Sequence, residues 1–251
     1  MTCRKHDVAA SNAPCGPSRE TKPTMKSFLL DRGLSLAAVV LILFVASLAQ
    51  ASISYTIGFG ELRSLQRDDI LPITTALVTL RFGLIAILVA LWALKRKRTL
   101  FRGIVVVNAL FTLALLGHAN ALLGVLFGSV AHAVDTLLLD VVLMAVSNIL
   151  IFSIWYWIID PPGVDESPRE NEPWEFLFPQ RGSGLPHYES WVPGYTDYLF
   201  IAFTTSFAFS PTDALPLTRR AKMLMLLQAA MSIVTLTGIA GSAINILAGR
   251  G

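Results

Sequence analysis

The sequence predicts an all-α integral membrane protein with five transmembrane helices plus a short segment that either re-enters the membrane or crosses it as a sixth. Three observations carry that prediction. Hydrophobic residues make up 54% of the 251 and charged residues only 15%, against about 25% charged in an ordinary globular protein. The apolar residues are concentrated in five stretches, 34–57, 71–94, 103–127, 134–159 and 223–247, each 24 to 26 residues long. About 20 such residues suffice to span a hydrocarbon core of ~30 Å. Two cysteines and a net charge of +3 support neither a disulfide scaffold nor a nucleic-acid binder.

Residues 1–33 form a polar leader with six basic residues, Arg4 to Arg32, and both cysteines, Cys3 and Cys15; the composition reads as disordered. From Met25 to Ala51 the chain also has the outline of a signal peptide with an Ala-Gln-Ala site. The apolar run continues past Ala51 to Ile57, which favours an uncleaved first helix. The second stretch ends at Trp92, just before Lys95-Arg96-Lys97-Arg98 and Arg102. Basic clusters of this kind remain on the cytoplasmic side, so the leader is expected in the cytoplasm. The fourth stretch returns to that side at Trp155-Tyr156-Trp157, which reads as an aromatic belt. Residues 34–160 are therefore expected to form a four-helix transmembrane region.

Pro161-Pro162-Gly163 stops the fourth helix, and 161–196 follows as an acidic loop with interspersed aromatic residues. Three charges fall inside apolar stretches, Arg81, Asp135 and Asp140. Charge at membrane depth is costly and marks either a pair or a function. Arg81 and Asp140 are read as an intramembrane pair, whereas Asp135 is interfacial. Asn108 and Asn148 suit hydrogen bonds between helices. No pair of histidines has metal-ligand spacing on one helix face. Paired carboxylates, a nucleophile with its base and a Gly-rich phosphate loop are all missing, so neither an enzyme nor a cofactor is expected.

Residues 197–251 carry the most specific signal. The uncharged core 198–210 is too short to cross the membrane comfortably, and it holds Thr204, Thr205, Ser206 and Ser210 before Pro211, Thr212 and Asp213. Such a segment suggests a helix that enters, breaks and turns back, a device for building ion sites. In the last stretch Gln228, Ser232, Thr235, Gly238, Ser242 and Asn245 recur every three or four residues. That stripe either lines water or lets helices pack closely.

Asp197 to Leu247 resembles the pore module of two-helix potassium channels. The likeness rests on a pore helix ending Phe203-Thr204-Thr205, a filter stretch closing with Asp213, and Pro216-Leu217-Thr218 leading into a long inner helix. The segment is also similar to that of a group of uncharacterised bacterial membrane proteins with a Phe-Ser-Pro-Thr-Asp ending. The resemblance implies pore-helix hydroxyls at Thr204 and Thr205 and a filter-mouth carboxylate at Asp213. Where the potassium filter has Thr-Val-Gly-Tyr-Gly, this chain has Ala208-Phe209-Ser210-Pro211-Thr212. Both glycines that permit the filter's backbone angles are gone, so potassium selectivity is not expected.

With the leader inside and a re-entrant loop, 16 basic residues lie inside and three outside, Arg63, Arg67 and Arg250. The channel family's orientation would reverse this ratio. The expectation is a multi-pass protein of the inner (plasma) membrane, with a channel-like C-terminal module and the lipid bilayer around it. A homo-oligomer and a small inorganic ion are the implied partners. The alternative is a non-conducting scaffold or assembly protein whose pore loop is vestigial.

Overall fold

In lipid a peptide group must find its hydrogen-bond partner within its own segment, and each apolar stretch accordingly forms a helix. The computed structural model describes residues 34–61, 67–94, 96–127, 134–160, 174–183, 185–188, 191–208 and 213–248. Within these, α1 is Leu34–Glu61, α2 Arg67–Ala93, α3 Lys97–Phe127 and α4 Val134–Ile159. Four segments, Leu36–Ile53, Arg98–Gly124, Leu138–Ile159 and Arg219–Gly238, are long and apolar enough to cross a membrane, and Val78–Ala93 is a shorter apolar helix. The chain is thus a mainly helical, multi-pass membrane protein. The leader with its cysteines, and the Ser210-Pro211-Thr212 part of the filter-like stretch, lie outside the described residues.

Buried positions select one face of each helix. On α1, Val39, Leu43, Ala46, Gln50 and Ile53 are buried while Leu41, Phe44 and Leu48 are exposed. The spacing of three and four follows the helical period, and the apolar outer face suits lipid. The Gln50 amide donates to the Phe111 carbonyl at 2.9 Å, tying α1 to α3. Between α2 and α3 the chain turns within a few residues. A Cβ on Gly103 would lie 2.7 Å from Leu88 Cδ2, so the glycine permits the close approach of these two helices.

The fourth helix is the hub, packed against α3 and against two C-terminal helices, α6 (Tyr195–Ala208) and α7 (Arg219–Ala248). The segment between carries β1 (Phe176–Leu177), a single-turn α5 (Pro179–Gly182) and a 3₁₀ turn at Pro186–Tyr188, while β2 (Leu215–Pro216) precedes α7. The acidic loop is therefore a structured cap where it is described. Its strand β1 pairs antiparallel with β2, Phe176 opposite Pro216 and Leu177 opposite Leu215.

That pairing fixes a direction. At one end of the bundle stand the last turn of α4, the start of α6, both strands and the start of α7. Phe101 at the start of α3 meets Trp157 there, with ring centroids 6.2 Å apart, so Arg96 to Arg98 belong to this same end. From it α6 and α7 run side by side and parallel, both antiparallel to α4. Tyr198 meets Asp160 near the end, whereas Ser206 lies deeper, beside Asn148 and Ser232. The helix α6 continues past Thr205 to Ala208, one turn beyond the ending that the channel resemblance implies.

Each partner of the expected aromatic belt points elsewhere. Tyr156 is fully buried, Trp157 is 4% exposed, and the Trp155 indole donates to the Thr112 hydroxyl at 2.8 Å. Tyr156 and Trp157 pack inside the protein, Tyr156 with a polar partner on α7 and Trp157 against Phe101, while the half-buried Trp155 reaches a polar partner on α3.

Candidate functional site

Two polar layers join α4, α6 and α7. The first closes the end of the bundle. Asp160, immediately after α4, accepts three hydrogen bonds: from the Glu175 backbone N–H at 3.1 Å, from Arg181 Nη2 at 3.1 Å and from the Tyr198 hydroxyl at 2.6 Å. The side chains of Asp160 and Arg181 are 0% and 6% exposed. The guanidinium also donates to the Phe176 carbonyl at 2.9 Å. Its carbon lies 4.7 Å from the Trp174 ring centroid and 5.4 Å from that of Phe178. A planar cation between two aromatic faces keeps its charge stabilised away from water. Glu175 in turn accepts from the Thr218 hydroxyl, and Thr218 Oγ1 accepts from the Ala221 N–H at 3.2 Å, capping α7 in the usual manner.

Deeper in the bundle lies the second layer, centred on Gln228. Its amide nitrogen donates to the Ala202 carbonyl at 2.7 Å and to Ser206 Oγ at 2.8 Å, and its carbonyl accepts from the Tyr156 hydroxyl. One side chain thus binds α4, α6 and α7 together. One turn further, Asn148 donates to Ser232 Oγ at 2.9 Å. The hydroxyl of Ser232 donates to the Gln228 backbone carbonyl at 3.0 Å, and that of Thr235 to the Ser232 backbone carbonyl at 2.8 Å. Beside these groups is a cavity of about 60 Å³, with Ala145, Asn148, Ser206, Phe207, Ser232 and Thr235 in its wall.

The residues singled out from the sequence are distributed as follows. Gln228, Ser232 and Thr235 are buried and face α4 and α6. A Cβ on Gly238 would lie 3.0 Å from both Leu122 Cδ2 and Val141 Cγ2, so α3 and α4 close over the stripe at that point. Ser242 and Asn245 lie on α7 beyond its described side chains. The Thr204 hydroxyl donates back to the Phe200 and Ile201 carbonyls at 3.0 and 3.1 Å. Thr205 is buried, and Asp213 is exposed near β2. Arg81 is half-buried on α2 and Asp140 is buried on α4, helices that both pack on α3. Asn108 donates to the Ile151 carbonyl at 3.2 Å, linking α3 to α4.

Sequence reasoning missed Asp160, Arg181 and Tyr198, and assigned Tyr156 to the lipid interface. One signal was available: Asp160 is an acid placed between an apolar stretch and Pro161-Pro162, a place where a carboxylate readily finds loop donors. Among the described residues no group of three His, Cys, Asp or Glu side chains could hold a metal ion.

Fold and site together define a polytopic helical membrane protein with hydrogen-bonded polar layers in its C-terminal half. Comparison with known protein families, with curated proteins and with solved structures yields no match.

Proposed function

We propose that the chain is a subunit of a homo-oligomeric inner-membrane protein with five crossings, its N-terminus in the cytoplasm. Its α6–α7 module is a re-entrant, channel-like element that admits a small ion without potassium selectivity. One observation carries this reading: α6 and α7 are parallel neighbours that start at the same end. Only six residues, 209–214, join Ala208 to Leu215. At 14 residues, α6 is about 20 Å long, short of the ~30 Å needed to cross. A parallel pair with so short a link supports a chain that descends and returns, as a pore loop does.

The basic residues Arg96 to Arg98, Arg219, Arg220 and Lys222 share the end from which α6 descends. By the positive-inside rule that end is cytoplasmic, so the loop enters from the opposite side to that of potassium channels. Thr204, Thr205 and the stretch Ser210 to Asp213 are the residues proposed to face the ion path, and Arg81 with Asp140 an intramembrane charge pair.

A second reading is favoured by a different observation. Gln228, Ser232 and Thr235 spend hydrogen bonds within the subunit, as expected of a non-conducting scaffold. Currents through the purified protein in planar bilayers separate the two. Conduction that is lost or altered by Asp213→Asn supports the channel reading, and silence under both cation and anion gradients leaves the scaffold.

A further inference from the structure

The cavity beside α6 has walls whose hydrogen-bonding capacity is unequally spent. Asn148 is 1% exposed, and while its amide nitrogen is engaged, its Oδ1 has no partner among the described residues. Thr235 and Ser232 each give their only proton to a backbone carbonyl, which leaves oxygen lone pairs at the wall. Ser206 is the converse case. Its oxygen accepts from Gln228, and its own proton has no acceptor among the described residues. The lining residues thus carry two unspent acceptors, Asn148 Oδ1 and Thr235 Oγ1, and one unspent donor, the Ser206 hydroxyl.

A ligand that gives two protons and accepts one is water. We infer that Asn148, Ser206 and Thr235 form a hydration site inside the membrane-embedded bundle, whose ligand is water. The cavity of about 60 Å³ exceeds the ~10–15 Å³ that one water requires, so more than one molecule fits. Among the described residues no carboxylate lines it and Asn148 is the one lining residue with a side-chain carbonyl, which disfavours a dehydrated cation. This inference rests on the re-entrant reading for its purpose: a helix that stops at membrane depth needs a wet end.

The test is water-edited solid-state NMR of the full chain in bilayers of deuterated lipid, with water protons as the probe. Asn108 is the internal control, since it too is fully buried with an unpartnered Oδ1 among the described residues but does not line this cavity. Water magnetisation is expected to reach the Asn148 side-chain amide several-fold faster than that of Asn108. Ala145→Leu, which fills the space without touching a polar group, and Thr235→Val, which removes an acceptor at nearly constant shape, should each lower the Asn148 rate towards that of Asn108. A wild-type Asn148 as slow as Asn108 overturns the inference. So does an Asn148 resonance that moves when sodium is exchanged for thallium, which reports a cation instead. Cysteine labelling at Asp213 keeps the two readings separable. A dry Asn148 with Asp213 on the cytoplasmic side rejects only the hydration site, and a wet Asn148 with Asp213 outside rejects only the re-entrant loop.

Discussion

Asp160 and Asn148 are both buried polar residues on α4, yet they contribute on different scales. Asn148 makes neutral interhelical hydrogen bonds, which in membrane proteins average ~0.6 kcal/mol. Asp160 neutralises Arg181, and removing one partner of a buried ion pair costs about 3–5 kcal/mol because the other charge is stranded. Asp160→Ala is therefore expected to unfold the cap and lower the melting temperature in detergent far more than Asn148→Ala. Tyr198→Phe, which deletes one hydrogen bond to a charged acceptor, should fall between them at about 1.5–3 kcal/mol. Thermal unfolding of the three variants checks the order, and an Asp160→Ala protein as stable as Asn148→Ala would show that the ion pair is dispensable. These partners were hard to read from sequence. Arg181 lies 21 residues from Asp160 and Tyr198 lies 38, across a loop whose composition carries no periodicity. Tyr156 was misread because an aromatic triplet at a helix end suits a lipid interface equally well. Its partner Gln228 is 72 residues away.

At the level of elements, helix contacts depend on small residues in some places and tolerate change in others. Gly238 is held between Leu122 and Val141, and the β-branched Val141 has little freedom to move. Gly238→Leu should separate α7 from α3 and α4 and abolish recovery of folded protein. Gly117 on α3 has nothing within 4 Å of a built Cβ, so Gly117→Ala should be neutral, or stabilising by up to ~1 kcal/mol through helix propensity. Size-exclusion profiles and melting in detergent distinguish these outcomes. For the proposed Arg81–Asp140 pair, either charge reversal alone should impair folding yield, and the double exchange, Arg81→Asp with Asp140→Arg, should restore it. A double variant no better than the singles removes the pair. Most helices were legible because continuous apolar length is a one-dimensional property. The short helix α6 was legible only as an anomaly, and its extent to Ala208 depends on packing against α4 and α7 that no local pattern encodes.

For the whole molecule, sidedness is the property that decides among functions. With the re-entrant loop, cysteines at Arg98 and Asp213 should react with an impermeant reagent from the same face of the membrane, whereas a crossing α6 would expose them on opposite faces. The proposed orientation rests on the distribution of Lys and Arg, which the sequence displays directly. The direction of α6 relative to α7 does not, since it needs the pairing of β1 with β2, two residues each.

The bonds around Asp160 also impose an order in time. Synthesis proceeds at about 5–20 residues per second, so the 38 residues that separate Asp160 from Tyr198 take about 2–8 s to emerge at that pace. Thr218, the partner of Glu175, emerges later still. Until Arg181 emerges, 21 residues after Asp160, the completed α4 must hold a carboxylate without its cation, and the cap that buries it is not whole until Tyr198 follows. The C-terminal module therefore assembles only after α4 has been made, and α4 waits as a half-finished docking site until the ribosome has delivered its partners.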